Sequence, residues 1–221
     1  MFEVFLSFVE KYPLSILESF CVLPVLILGA IRFKYFDSYL KIIWFTCLWI
    51  FILDAPIWYL ALKTINNYFW ANIQDLTSQA LWIFSFWLVS VKMPRRIVGL
   101  FTAASLIAGF FLFQSNEYPA LIIMANCIAL VILCIIFFFH LIEGLQAKNI
   151  LLFPPFWVVS GLMLMASGSI LIFLFSELTI SYKMVDKSVY FIFYHFTEIL
   201  KFIYMSCIFI GFWVSKKRYD I

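Results

Sequence analysis

The feature that most constrains this chain is a series of apolar runs, each about as long as a bilayer is thick and each followed by a short polar break. A hydrocarbon core of roughly 30 Å takes about 20 helical residues. Inside it every backbone N–H and C=O must be bonded within the segment, so helices are the expected form. Seven runs are read, at 14–31, 39–62, 68–91, 97–113, 119–142, 152–176 and 188–214. Composition agrees, with 66% of residues hydrophobic, 12% charged and a mean hydropathy of +1.06, where a soluble domain carries about a quarter charged residues. The breaks are too short for a second domain. The expected fold is all-α, one seven-helix membrane domain over 1–221. Residues 1–12 read as a partial amphipathic turn at the interface, and Pro13 as a helix starter. The first run lacks the basic leader and small-residue cleavage site of a signal peptide, so it is expected to stay.

Basic residues set the orientation. Seven spans put the termini on opposite sides. With the N-terminus outside, the cytoplasmic side holds Arg32, Lys34, Lys41, Lys92, Arg95, Arg96, Lys148, Lys216, Lys217 and Arg218, and the outer side only Lys11, Lys63, Lys183 and Lys187. That asymmetry follows the positive-inside rule. Trp44, Trp87, Trp157 and Trp213 fall near the inner ends, Trp58 and Trp70 near the outer ends, as an interfacial aromatic belt requires.

Against this apolar background the polar residues stand out. The last run contains YFIFYHFTEILKFIY, residues 190–204, with His195, Glu198 and Lys201 spaced by three. Such spacing spreads them over about 120° of one helix face. Ionisable groups at membrane depth are costly and mark a partner or a water-filled site. The third run is polar at its start, and Asn72, Asp75, Gln79 and Trp82 share a face. With a rise of about 1.5 Å per residue, Glu18 lies roughly 6 Å below the outer end of its helix, and Asp54, Asp75, Asn126 and His195 roughly 10–12 Å. Glu198 and Lys201 follow at roughly 15 and 20 Å. Glu18, Asp54, Asn72, Asp75, Gln79, Asn126, His195, Glu198 and Lys201 are therefore the candidate lining of an outward-facing polar cavity. The same residues can instead hold the helices in register by pairing with one another. Four acids around one lysine cannot all stay ionised in a low dielectric. The candidate guest is thus a proton, a metal cation or an amine, with Glu198 or His195 titrating and Lys201 as counter-charge.

Other chemistries fail on counting. Two histidines and five scattered cysteines make no metal-ligand set. The cysteines read as buried free thiols. There is no HExxH, GxSxG or phosphate-binding glycine loop, and no basic stripe for nucleic acid. No catalytic residue, metal or cofactor is assigned, and an intramembrane enzyme is a minor alternative. A lysine midway along a seventh helix also suggests a retinal-binding protein, but FWANIQDLTSQALW, residues 69–82, lacks the arginine and paired acids of the microbial kind. A small carrier of three helices, a linker and three helices is the main alternative. The uncharged fourth run would be its linker, although Pro24 and Pro56 have no counterparts in the fifth and sixth runs.

The sixth run reads FPPFWVVSGLMLMASGSILIFLFS, Phe153 to Ser176. Ser160-Gly161 and Ser167-Gly168 repeat at seven residues and form a small-residue seam for close helix packing. The segment resembles the hallmark of an uncharacterised family of small seven-helix bacterial inner-membrane proteins, often encoded beside sensor histidine kinases. The resemblance implies a multi-pass protein of the bacterial inner membrane, sensory in role, with a membrane sensor kinase or similar signalling protein as partner besides the lipid bilayer. Lys201 departs from that family's pattern. The expected activity is non-enzymatic: binding in the outward cavity, with output through a partner.

Overall fold

The computed structural model describes residues 13–89, 91, 93–111, 113, 120–143, 149–182 and 187–218. The interfacial turn expected over 1–12, and Lys92, Lys148 and Lys183, lie outside them. The described residues are all-α. The helices are α1 (Pro13–Phe20), α2 (Val22–Arg32), α3 (Ser38–Leu62), α4 (Tyr68–Leu88), α5 (Arg95–Phe111), α6 (Ala120–Glu143), α7 (Pro154–Tyr182) and α8 (Lys187–Val214).

α1 and α2 form one rod with a break at Cys21. Pro24 supplies no N–H for the carbonyl four residues back, that of Phe20, and this loosens the turn there. The Cys21 N–H still donates to the carbonyls of Leu17 and Glu18, at 3.0 and 3.3 Å, which keeps the rod continuous. α3 starts at Asp37, whose carboxylate accepts from the Leu40 N–H at 2.9 Å, an ordinary helix cap. Two prolines at the first turn of α7 cost no hydrogen bond, because those N–H groups have no helical partner.

Among the described residues, five of these seven rods are long and apolar enough to cross a membrane: Ile16–Tyr35, Ser38–Leu62, Ala120–Glu143, Pro154–Leu174 and His195–Val214. α4 falls short because its first half is polar, and α5 because it has only 17 residues. Large apolar side chains stand exposed all round the bundle, among them Ile27, Ile31, Leu100, Phe110, Leu121, Ile142 and Leu171. Water does not tolerate so much contiguous apolar surface, whereas lipid tails do. The protein is a multi-pass helical membrane protein.

The rods close into a ring. α3 packs on α2 and α4, α4 on α6, α6 on α7, α7 on α8, and α8 back on α1 and α2. α5 sits outside it, against α4 and α6. Only Val98, Ser105 and Gly109 of α5 are buried, and Phe110 and Phe111 are 80% and 76% exposed. At one end Arg32 ties first rod to last: its guanidinium donates to the Trp213 carbonyl and lies 4.4 Å over the Trp213 ring. That contact caps α8 with a cation, where the helix dipole favours one.

α7 and α8 approach closely where glycine removes a side chain. A Cβ on Gly161 would lie 2.6 Å from Cys207 Cβ, and one on Gly168 would lie 2.2 Å from Leu200 Cδ1. At Gly109 the same atom would meet Leu76 at an ordinary 3.7 Å. Gly161→Ala is therefore expected to destabilise the protein by about 1–3 kcal/mol through overpacking. Gly109→Ala should be neutral or slightly stabilising, since alanine is the better helix former. Unfolding in detergent micelles measures both.

Candidate functional site

The interior charges meet where the first rod, α3 and the last rod come together. Lys201 Nζ lies 2.6 Å from Glu18 Oε1, and both side chains are mostly shielded, at 25% and 19% exposure. Lys201 also feels the Asp54 carboxylate electrostatically. Two acids thus face one ammonium, which leaves the cluster one negative charge in excess when both are ionised. At low dielectric that excess is expensive.

Asp54 is held by the next helix. Gln74 Nε2 donates to Asp54 Oδ1 at 2.7 Å and to the Ile50 carbonyl at 2.8 Å. Pro56, two residues on, interrupts the hydrogen bonds of α3. Side chains from neighbouring helices commonly satisfy backbone near such a proline. Asn67 also donates to α3, to the Ile57 carbonyl at 3.4 Å. The second carboxylate oxygen, Asp54 Oδ2, is buried and has no hydrogen-bond partner among the described residues. A buried carboxylate oxygen so placed leaves room for a hydrogen-bond donor or a cation.

The other predicted residues fall as follows. His195 Nδ1 lies 2.8 Å from Glu198 Oε2 on the same helix, with Glu198 only 5% exposed. This pair sits one turn before Lys201, whose own closest acid is Glu18. Asn72 is fully buried. Gln79 Nε2 contacts Cys127 Sγ at 4.0 Å, joining α4 to α6, and Asp75 lies within electrostatic reach of that thiol. Gln79 Oε1 and Asn126 Nδ2 are buried without hydrogen-bond partners among the described residues. Ser160 Oγ donates back to the Phe156 carbonyl at 2.7 Å, while Gly161 and Gly168 meet α8 as described. All five cysteines are free.

Sequence reasoning missed Gln74. The face chosen by spacing was that of Asn72, Asp75 and Gln79, and Gln74 points elsewhere. α4, however, packs against α3, α5 and α6, so polar residues on several of its faces find partners. Thr77 belongs to the same missed set, its hydroxyl accepting from Trp49 Nε1 at 2.7 Å. A cue was present in the count: a helix with six polar residues between Asn72 and Gln79 cannot place all of them on one stripe.

Comparison with protein families, with curated proteins and with solved structures finds no match to this chain.

The Glu18–Lys201 pair gives a stability prediction that depends on Asp54. Lys201→Met strands two acids and should cost about 3–5 kcal/mol, the scale for breaking a buried pair. Glu18→Gln should cost less, because Asp54 remains to balance the ammonium. The double variant Glu18→Gln/Lys201→Met should be more stable than Lys201→Met alone. Thermal unfolding of the four proteins in one detergent decides the order.

Proposed function

We propose that this protein is a sensory component of a bacterial inner membrane that recognises a small cation or amine in the Glu18–Asp54–Gln74–Lys201 cluster and signals through a partner protein. The single observation that carries the reading is the buried, unpartnered carboxylate oxygen of Asp54 beside an ion pair that joins the first rod to the last. A cation bound there would neutralise the excess charge and compete with Lys201 for Glu18. The contact between the two ends of the ring would then depend on occupancy, which is what a sensor needs. The proposed topology has seven spans, the N-terminus outside and the C-terminus in the cytoplasm. α4 and α5 cross as passengers of the bundle, shielded or completed by their neighbours. The charge asymmetry of the breaks supports the orientation. The resemblance of Phe153–Ser176 to an uncharacterised family of inner-membrane proteins often encoded beside sensor histidine kinases supports the membrane and the kind of partner, a membrane sensor kinase.

A second reading, a proton- or cation-coupled carrier, draws on one observation: buried hydroxyl groups continue inward from Lys201, on Tyr204 and Tyr39.

Recognition is tested by thermal unfolding of the full chain in lipid nanodiscs with sodium, calcium and methylamine. A ligand bound only by the folded state at 100 times its Kd stabilises by about 2.7 kcal/mol. At least one of the three should raise the melting temperature of the native protein and fail to do so with Asp54→Asn. Equal responses from the two proteins would exclude Asp54 as the site.

A further inference from the structure

The inner side of Lys201 contains an arrangement that cluster chemistry alone does not explain. Tyr204 follows Lys201 by three residues on α8 and so lies on a neighbouring face one turn inward. Its ring packs edge-on against Trp82 of α4, centroids 5.4 Å apart, across the middle of the ring of helices. Tyr39 approaches from α3. The two tyrosines are 1% and 0% exposed, and neither hydroxyl has a hydrogen-bond partner among the described residues. The hydroxyls are near enough to interact electrostatically with each other and with the thiol of Cys134. Cys47 and Cys207 lie within the same electrostatic reach of Tyr204. Tyr39 in turn reaches Ser85 of α4 and Asp37 at the start of α3. Phenylalanine would fill either position without burying an unsatisfied hydroxyl, and this chain uses phenylalanine 28 times. Two buried hydroxyls within electrostatic reach of one another are suited to bound water, which needs two or more polar partners to stay in an interior.

We propose that water bridging Tyr204 and Tyr39 connects the Glu18–Lys201–Asp54 cluster to the inner end of the bundle and conducts protons along that line. Each transfer balances within the file. An oxygen accepts a proton on one side and releases one on the other, so only O–H bonds form and break and no oxidant or reductant takes part. At the outer end the unpartnered Asp54 oxygen accepts the arriving proton. At the inner end the proton leaves past Ser85 and Asp37. Lys201 stands at the head of the file, and its ammonium opposes an excess proton. The Glu18 and Asp54 charges set that opposition, and this makes the path gated rather than open. The inference rests on the recognition reading only in using the same acids as its outer terminus.

The test is proton flux into vesicles containing the full chain, with a pH dye trapped inside and a potassium gradient with valinomycin as driving force. Vesicles with the native protein should acidify faster than protein-free vesicles. Tyr204→Phe and Tyr39→Phe should each slow the protein-dependent rate by about tenfold, the change given by a barrier higher by 1.36 kcal/mol. Both replacements keep the ring and remove only a hydroxyl, and the melting temperature of each variant reports its folding. Native flux no faster than in protein-free vesicles would overturn the proposal, as would undiminished flux through both folded phenylalanine variants. The ligand-induced melting shift is read on the same variants. If the shift persists in Tyr204→Phe while native flux is absent, the proton path alone fails. If Tyr204→Phe slows flux but no cation shifts the melting temperature, the path stands and the recognition reading fails.

Discussion

The structure depends on how one lysine is kept charged inside a bundle whose outer surface is hydrocarbon. Lys201 lies where an ammonium without a counter-charge would be untenable, and Glu18 meets it at 2.6 Å from the opposite end of the chain. The pair therefore closes the ring of rods at the level where the bundle is most polar. Arg32 repeats the closure at one end, through the carbonyl and ring of Trp213. Between these two polar ties the seam is apolar: Val22 and Val25 of α2 are buried, and Phe36 meets Phe212 at 4.5 Å. Shape complementarity fills the seam, but the charged contact fixes its register, because displacing it strands an ion.

Local proline chemistry places the acids. Pro24 loosens the first rod at Cys21, a few residues beyond Glu18, and Pro56 interrupts α3 just beyond Asp54. Each carboxylate thus sits beside a turn whose backbone is incompletely bonded. Gln74 and Asn67 tie α3 on either side of Pro56 to α4 and to the connection before it. The result is a polar region with protein donors on one side of Asp54 and an open valence on the other. Polar irregularity of this kind is tolerated in a membrane protein only where it is enclosed by other helices.

Much of the architecture was legible in the sequence, because the length of an apolar run is dictated directly by membrane thickness. Positions of the rods follow the runs within a few residues, and the outlying fourth run, without charge and rich in small residues, is the helix α5 outside the ring. Two things were less legible. His195, Glu198 and Lys201 look like one triad by spacing, but Lys201 takes its partner from the first rod, a tertiary choice that no local pattern encodes. Tyr39 and Tyr204 were hidden for another reason. A tyrosine counts as apolar in a hydropathy run, and only the burial of its hydroxyl reveals a polar group inside the bundle. Gln74 was obscured by assuming that a helix has one functional face, whereas α4 is enclosed by three neighbours.

The proposed recognition requires that the acids around Lys201 line a polar region reached from outside the cell. Cysteine accessibility tests it most directly. In a background with the five native cysteines replaced by alanine, Asp54→Cys is exposed to a membrane-impermeant thiol reagent in intact cells and in inside-out vesicles. The account predicts labelling from the outer side and protection from the inner side. Labelling from the inner side alone, or none from either side in a folded protein, would contradict it.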